Sequence, residues 1–305
     1  MRSISTCFQI RFRPLLLLAL ALLTTTLAAC SATRLAYSQL DWLIPRQLGD
    51  YVTLDSTQRA WLDARLQDHL AWHCRTQLPA YADWLGTLRA DLNGAPPSPE
   101  QLQDHVRQLE TFIDALLVEI APTAAELAVR LDQRQRDELF ARLDRRLAED
   151  RAKYLDPPPD QRQRERAERL EQRLRYWLGS LTPEQTARIR QWSAALPDQN
   201  AAVWLDNRQR LQATARDLLA EPDERSARLR LTSLLEAPAV VYTPAYQRQF
   251  EQSRAQAIAL TADLLRLATD RQRARLDRRL GSLADDFQKL RCAQETVAAL
   301  RPEAG

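Results

Sequence analysis

Glycine is scarce in this chain, six in 305 residues, and β-branched residues are sparse beside Ala, Leu, Arg, Gln and Glu. No stretch shows the apolar–polar alternation of a half-buried strand, so a sheet-based fold is excluded. The abundant residues all favour helix. The predicted fold class is all-α, as a multi-helix bundle or a curved helical array. Lysine is almost missing as well: Lys153 and Lys289 stand alone, and arginine carries the rest of the positive charge. Those arginines alternate with acids at helical spacing, as in Arg142, Asp144, Arg145, Arg146 and Glu149. That pattern reads as a solvated, ion-paired helix and not as arginines gathered on one face. A nucleophile elbow, a phosphate loop, a dinucleotide fingerprint and a dense carboxylate cluster are all lacking. No catalytic residue, cofactor or metal is therefore expected.

The N-terminus has no acidic residue before Cys30. Arg2, Arg11 and Arg13 precede and flank an apolar run from Leu15 to Leu23, followed by three threonines and Leu27-Ala28-Ala29-Cys30. The run falls short of the roughly 20 residues that a spanning helix needs. A basic start, a short apolar stretch and small residues before a cut make residues 1–29 a secretion signal. Leu27-Ala28-Ala29-Cys30 matches the bacterial lipobox, so Cys30 is the expected lipidation site and mature N-terminus. Stable anchoring takes more than one acyl chain, each contributing roughly 0.8 kcal/mol per buried CH₂. The next residue is Ser31 and not Asp; by likeness to the enterobacterial sorting rule, the anchor sits in the outer membrane, on its periplasmic face. Removing Arg2, Arg11 and Arg13 takes the 43 basic residues to 40, against 40 acidic ones. Such a neutral surface lacks the basic patch that a nucleic-acid partner requires.

The rest divides into a lipidated tether with a short helix over 30–50, an N-terminal helical half over 51–156, a Pro-rich linker at 157–160, a C-terminal helical half over 161–300 and a tail at 301–305. Gly49 is expected to end the first helix. Pro79 is expected to break or kink the helix that starts near Asp55, because proline removes a donor and crowds the preceding turn. Helices are expected over 98–120 and 123–154, then over 161–178, 183–195, 198–220, 223–236, 244–267 and 270–299. The prolines 157–159 favour an extended, stiff connection.

One short pattern recurs: Leu54-Asp55-x-x-Gln58, Leu131-Asp132-x-x-Gln135, Leu181-Thr182-x-x-Gln185 and Ala268-Thr269-x-x-Gln272, with Pro97-Ser98-x-x-Gln101 as a looser fifth copy. It describes a helix start. The Asp or Thr oxygen accepts from the N3 amide, and the N3 Gln reaches back to the N-cap amide. Two copies precede the triple proline and two follow it. Glu126-Leu127 before Asp132 parallels Asp263-Leu264 before Thr269, and 139–143 parallels 276–280. The order reads as a duplication of two helical halves; chance in an Ala/Leu/Arg-rich chain is the alternative.

With Cys7 in the signal and Cys30 lipidated, Cys74 and Cys292 are the two thiols left for an oxidising compartment, which points to a disulfide between them. Two unrelated buried thiols are the alternative. His69 and His73 share a helix face, with His105 as a remote third ligand for zinc, yet they read better as half-buried residues beside Trp72. Trp42, Trp61, Trp72, Trp84, Trp177, Trp192 and Trp204 mostly occupy core-like helical positions, and an aromatic-lined groove is the sharper reading.

The mature chain resembles an uncharacterised family of gammaproteobacterial lipoproteins, the domain of unknown function numbered 6279. The residues that carry this are the lipobox, Tyr37-Ser38-Gln39-Leu40-Asp41-Trp42-Leu43, the Leu54-to-Gln58 start, and Trp72-His73 with Leu78-Pro79-x-Tyr81. The resemblance implies an all-helical envelope lipoprotein. Leu181-Thr182-Pro183-Glu184-Gln185 is also similar to the Leu-Thr-x-x-Gln motif of the Spy/CpxP periplasmic chaperones. The expected function is a non-enzymatic, protein-binding or envelope-structural lipoprotein with a periplasmic protein partner. A chaperone-like or envelope-stress adaptor is one alternative, and an enzyme acting on an envelope polymer is another.

Overall fold

The computed structural model describes residues 32–290, and every regular element in that range is helical. The signal, Cys30 and Cys292 lie outside the described residues. Residues 32–40 are the described part of a separate unit, and α1 (Ala32–Tyr37) is its helix.

The remaining unit opens with α2 (Leu40–Gly49), which buries no residue. There follow α3 (Ser56–Trp72), a π-helical turn (His73–Gln77), α4 (Leu78–Leu92), α5 (Pro99–Val129) and α6 (Gln133–Tyr154). Next come α7 (Pro159–Leu178), α8 (Pro183–Ala195), α9 (Asn200–Leu219) and α10 (Glu224–Glu236). A 3₁₀ turn (Pro238–Val241), α11 (Pro244–Arg266) and α12 (Asp270–Lys289) complete it.

Several helix boundaries differ from the sequence expectation, and proline accounts for most of them. No break occurs between 120 and 123: α5 runs through Pro122 to Val129. Proline withholds an N–H from the carbonyl four residues back, here Val118. Val118 is 57% exposed, so water can satisfy that carbonyl. The chain breaks instead at 130–132, where Asp132 caps α6. Pro79 lies in the first turn of α4, and the helix widens before it: the Leu78 N–H reaches back to the His73 carbonyl, closing a π turn. The Pro-rich linker is shorter than expected, because Pro159 is the first residue of α7. A missing N–H costs nothing at that position. At the other end, α12 stops at Lys289, where Leu290 turns extended, and the expected stretch from 291 to 299 lies outside the described residues.

The two halves share an internal register. Residues 54–92 match 181–219 at a constant offset, since Gln58 and Gln185 lie 127 positions apart. Leu62 pairs with Ile189, Leu66 with Ser193 and Leu78 with Leu205, all of them buried. Residues 125–143 match 262–280, since Gln135 and Gln272 lie 137 positions apart. Here Ala125 pairs with Ala262 and Leu127 with Leu264, again all buried. The ten extra residues fall where the second half carries α10 and the 3₁₀ turn.

These halves interlock. The second matched helix of each half packs on the last helix of the other: α4 on α12, and α9 on α6. Trp84, Leu88 and Leu92 of α4 meet Leu276 and Leu280 of α12. Their counterparts Leu211, Ala215 and Leu219 of α9 lie with Phe140 and Leu143 of α6. Arg89 and Arg216 occupy matching places in these two contacts. Arg89 forms a bidentate pair with Asp277, Nε at 2.9 Å and Nη2 at 3.1 Å, and its guanidinium crosses Gly281, where a Cβ would sit 2.9 Å away. Arg216 covers the Phe140 ring at 4.5 Å and pairs with Asp144 at 2.9 Å. Phe140 and Asp144 are the counterparts of Asp277 and Gly281. An arginine thus spans the same two positions in each half, with the acid moved by one turn. Across the seam, α5 packs on α11 through Leu102, Ile258 and Ala262.

Candidate functional site: a cationic cleft with aromatic walls

The four capping sequences open α3, α6, α8 and α12, each with both hydrogen bonds of a capping box. Ser98 and Gln101 cap α5 in the same way. The four matched glutamines do something further, which the sequence did not reveal. Gln58 Nε2 donates to Gln135 Oε1 at 2.9 Å, and Gln135 Nε2 donates back to Gln58 Oε1 at 2.7 Å. Gln185 and Gln272 repeat this at 3.1 and 2.9 Å. In every case Oε1 also accepts the N-cap N–H at 3.0 Å. The second Nε2 hydrogen goes to a backbone carbonyl: Arg130 from Gln58, Thr53 from Gln135, Leu264 from Gln185 and Ser180 from Gln272. All amide capacity is used. Each half is therefore clasped by a buried amide pair, and these residues are structural.

Cys74 is 5% exposed, sits in the π turn, and is disulfide-bonded. Cys292 lies outside the described residues. Among the described residues no three His, Cys, Asp or Glu side chains gather as ligands. His69 uses both ring nitrogens, Nδ1 on Glu119 at 2.9 Å and Nε2 on Thr123 at 2.8 Å. His105 binds Asp91 at 3.0 Å. His73 packs edge-on against Tyr81, and burial holds its pKa below the ordinary value. Thr123, His69 and Glu119 have the connectivity of a nucleophile, base and orienting acid. Thr123 lies deep in α5, however, where backbone N–H groups are committed to the helix and cannot receive an oxyanion. The trio ties α3 to α5.

One set of charged and aromatic side chains converges on open space where α6, α7 and α9 meet, beside the proline connection. They line a cleft of about 350 Å³. Leu196, Ala201, Tyr154 and Trp204 form its apolar part, the two rings edge to face at 6.0 Å. Around them stand Lys153, Arg162, Arg166 and Arg169 against one acid, Glu165. The arginines follow i, i+4, i+7 spacing and so share a face of α7. The helix keeps the expected i,i+4 pairs of Arg164 with Asp160, Arg169 with Glu165 and Arg175 with Glu171, and beside them turns three arginines to one face.

Two of the four cations are compensated. Arg169 Nη1 meets Glu165 at 3.4 Å, and Arg162 Nη2 meets Asp198 at 3.6 Å. Among the described residues, Lys153 and Arg166 have no carboxylate within ion-pair distance. Arg166 donates to the Ser193 carbonyl at 3.5 Å, a long contact. Its pKa is lowered, first by burial and then by Arg169 and Arg162, with Asp198 opposing. The Nε–H of Arg162 is buried with no partner among the described residues. Lys153 Nζ and the Arg169 guanidinium lie 5.1 and 5.5 Å from the Tyr154 ring centre, within cation–π range. Of the seven tryptophans only Trp204 lines this cleft; Trp42 is 55% exposed, Trp84 packs against Phe112, and Trp61 lies under Arg130 at 4.5 Å. The missed signal was local: one of two lysines beside a tyrosine, then three arginines in helical register.

Fold and cleft together define an all-α protein of two interlocked helical halves, with a cleft lined mainly by cations where α6, α7 and α9 meet. Residues 50–247 match the model of the Family of unknown function (DUF6279), and the chain belongs to that family. No curated protein and no solved structure matches it.

Proposed function

We propose that this protein acts by binding and not by chemistry, anchored through lipid on Cys30 at the periplasmic face of the outer membrane, and that its binding site is the cleft between α6, α7 and α9. The carrying observation is that arginine, lysine and aromatic side chains converge there around a single carboxylate, itself in an ion pair. Acid–base catalysis needs a titratable group free to exchange a proton in a site. Fixed cations on apolar walls instead suit recognition of an anionic group. A volume of about 350 Å³ takes a small ligand or one group of a larger partner. A periplasmic polypeptide would engage it through one anionic group. The likeness to the Spy/CpxP motif lends no support to a chaperone role, because Gln185 is 0% exposed and serves the amide clasp.

The test is a photo-crosslinking side chain at Ala201 of the full-length protein in its own envelope. An adduct at Ala201, absent when the probe sits at exposed Arg271, supports the site. No adduct at Ala201 rejects it. Cys30→Ala in the same cells tests the anchor: the variant should leave the membrane fraction and lack acyl mass.

A further inference from the structure

Resting on the reading of the cleft as the binding site, we infer that its ligand carries a phosphate monoester, held between Lys153 and Arg166. Charge argues for this first. Once the Arg162–Asp198 and Arg169–Glu165 pairs are set aside, Lys153 and Arg166 remain, two positive charges with no acid in contact among the described residues. A phosphate monoester supplies close to two negative charges at neutral pH. A carboxylate would match only one of the two.

Directionality argues for it second. A carboxylate is planar and is matched by the parallel N–H groups of one guanidinium. Here the donors come from separate side chains on two helices, Lys153 near the end of α6 and Arg166 on α7. A tetrahedral oxyanion accepts from several directions, and a lysine serves it well as a point charge.

The apolar wall is the third argument. Tyr154 and Trp204 then give the carbon-bearing stem of the ester an apolar wall.

Such a group could belong to a lipid headgroup or to a soluble ester, and the experiment separates them. Full-length protein in neutral detergent is titrated calorimetrically with inorganic phosphate, glucose 1-phosphate, dihexanoyl phosphatidic acid, dihexanoyl phosphatidylcholine and acetate. Phosphate, glucose 1-phosphate and phosphatidic acid should bind, more weakly as salt is raised, and phosphatidylcholine and acetate should not. Phosphatidic acid binding at least tenfold tighter than glucose 1-phosphate assigns the lipid source; the reverse order assigns the soluble one. Arg166→Gln and Lys153→Gln should each weaken binding about tenfold or more, the loss expected for a charge-assisted contact. Arg271→Gln should leave it unchanged. Lys153 is exposed, so its variant reports on binding even if Arg166→Gln disturbs folding. Acetate binding as tightly as phosphate would overturn the inference in favour of a carboxylate partner. No binding of any phosphate probe, or full affinity in the Lys153 variant, overturns it too. A crosslink at Ala201 that persists under those outcomes rejects the phosphate alone and leaves the binding site standing.

Discussion

Among single residues, the four clasp glutamines have the largest predicted effect on stability. A buried amide is tolerated only when its donors and acceptors are matched. Here each Gln closes a capping box and also answers its twin, so removing one strands groups on two helix starts at once. Gln272→Leu should destabilise by about 1–3 kcal/mol, the cost of leaving buried polar groups unpaired. The pair Gln185→Leu with Gln272→Leu should cost less than the sum of the singles, because the second change removes groups the first left stranded. Urea denaturation of the three variants measures this; additive losses would show that the amides do not act as a unit. Asp277 gives a pH-dependent counterpart. The hydrogen bond from Arg89 holds its pKa below the ordinary value, with a smaller contribution in the same direction from Asn93. A carboxyl whose folded pKa is depressed adds stability that is fully present above its unfolded value of about 3.9 and is lost as pH falls through the folded one. Asp277→Asn should therefore lower the melting temperature at pH 7. Its difference from wild type should shrink below about pH 4, and a constant difference down to acid pH would contradict the assignment.

Among the elements, the internal register bears on a pairing that the described residues leave open. Cys74 matches Ala201 at the offset of 127, and Cys292 matches Leu155 at the offset of 137. Ala201 and Tyr154, the neighbour of Leu155, line the same cleft. By that register Cys292 is the expected partner of Cys74. Peptide mapping without reductant should yield a 74–292 cross-linked peptide, and free Cys292 would reject the pairing. A loop of that length is worth roughly 4–5 kcal/mol in the chain-entropy picture if unstrained. Much of the architecture was legible in the sequence for a physical reason: Asp55, Asp132, Thr182 and Thr269 mark helix starts by local hydrogen bonding, which needs no tertiary information. The helix across Pro122 was not legible, because whether a proline breaks a helix depends on whether the freed Val118 carbonyl faces water. The amide clasps were not legible either, since a capping Gln looks the same whether its far side meets solvent, as at Gln101, or a twin 77 or 87 residues away. The cleft escaped because charge balance over a whole chain averages out three arginines on one face of α7.

At the scale of the whole molecule, interlocking decides how stability is shared. In a tandem of independent bundles each half would close its own core. Here α4 leaves Leu85, 2% exposed in the intact molecule, to be covered with Leu280 and Ala284 of α12. In the opposite direction, Phe140 of α6 is covered with Leu218 and Leu219 of α9 and Leu231 of α10. Removing either half would bare an apolar face in the other, at roughly 25 cal/mol for each Å² returned to water. Neither clasp can compensate, because each ties helices of the same half. The two halves should therefore unfold together, although each carries its own capping pair and the register of a duplicated unit. Far-ultraviolet circular dichroism and tryptophan fluorescence should give coincident urea transitions, with Trp61 and Trp84 reporting from the first half and Trp177, Trp192 and Trp204 from the second. The same coincidence should hold for Cys74→Ala, which removes any covalent tie through that residue. Residues 51–156 and 161–290 expressed separately should lack cooperative transitions and should recover one when mixed. Two separated transitions in the intact chain, or a cooperative transition in either half alone, would mean that the exchanged helices α4 and α9 are not what joins the molecule.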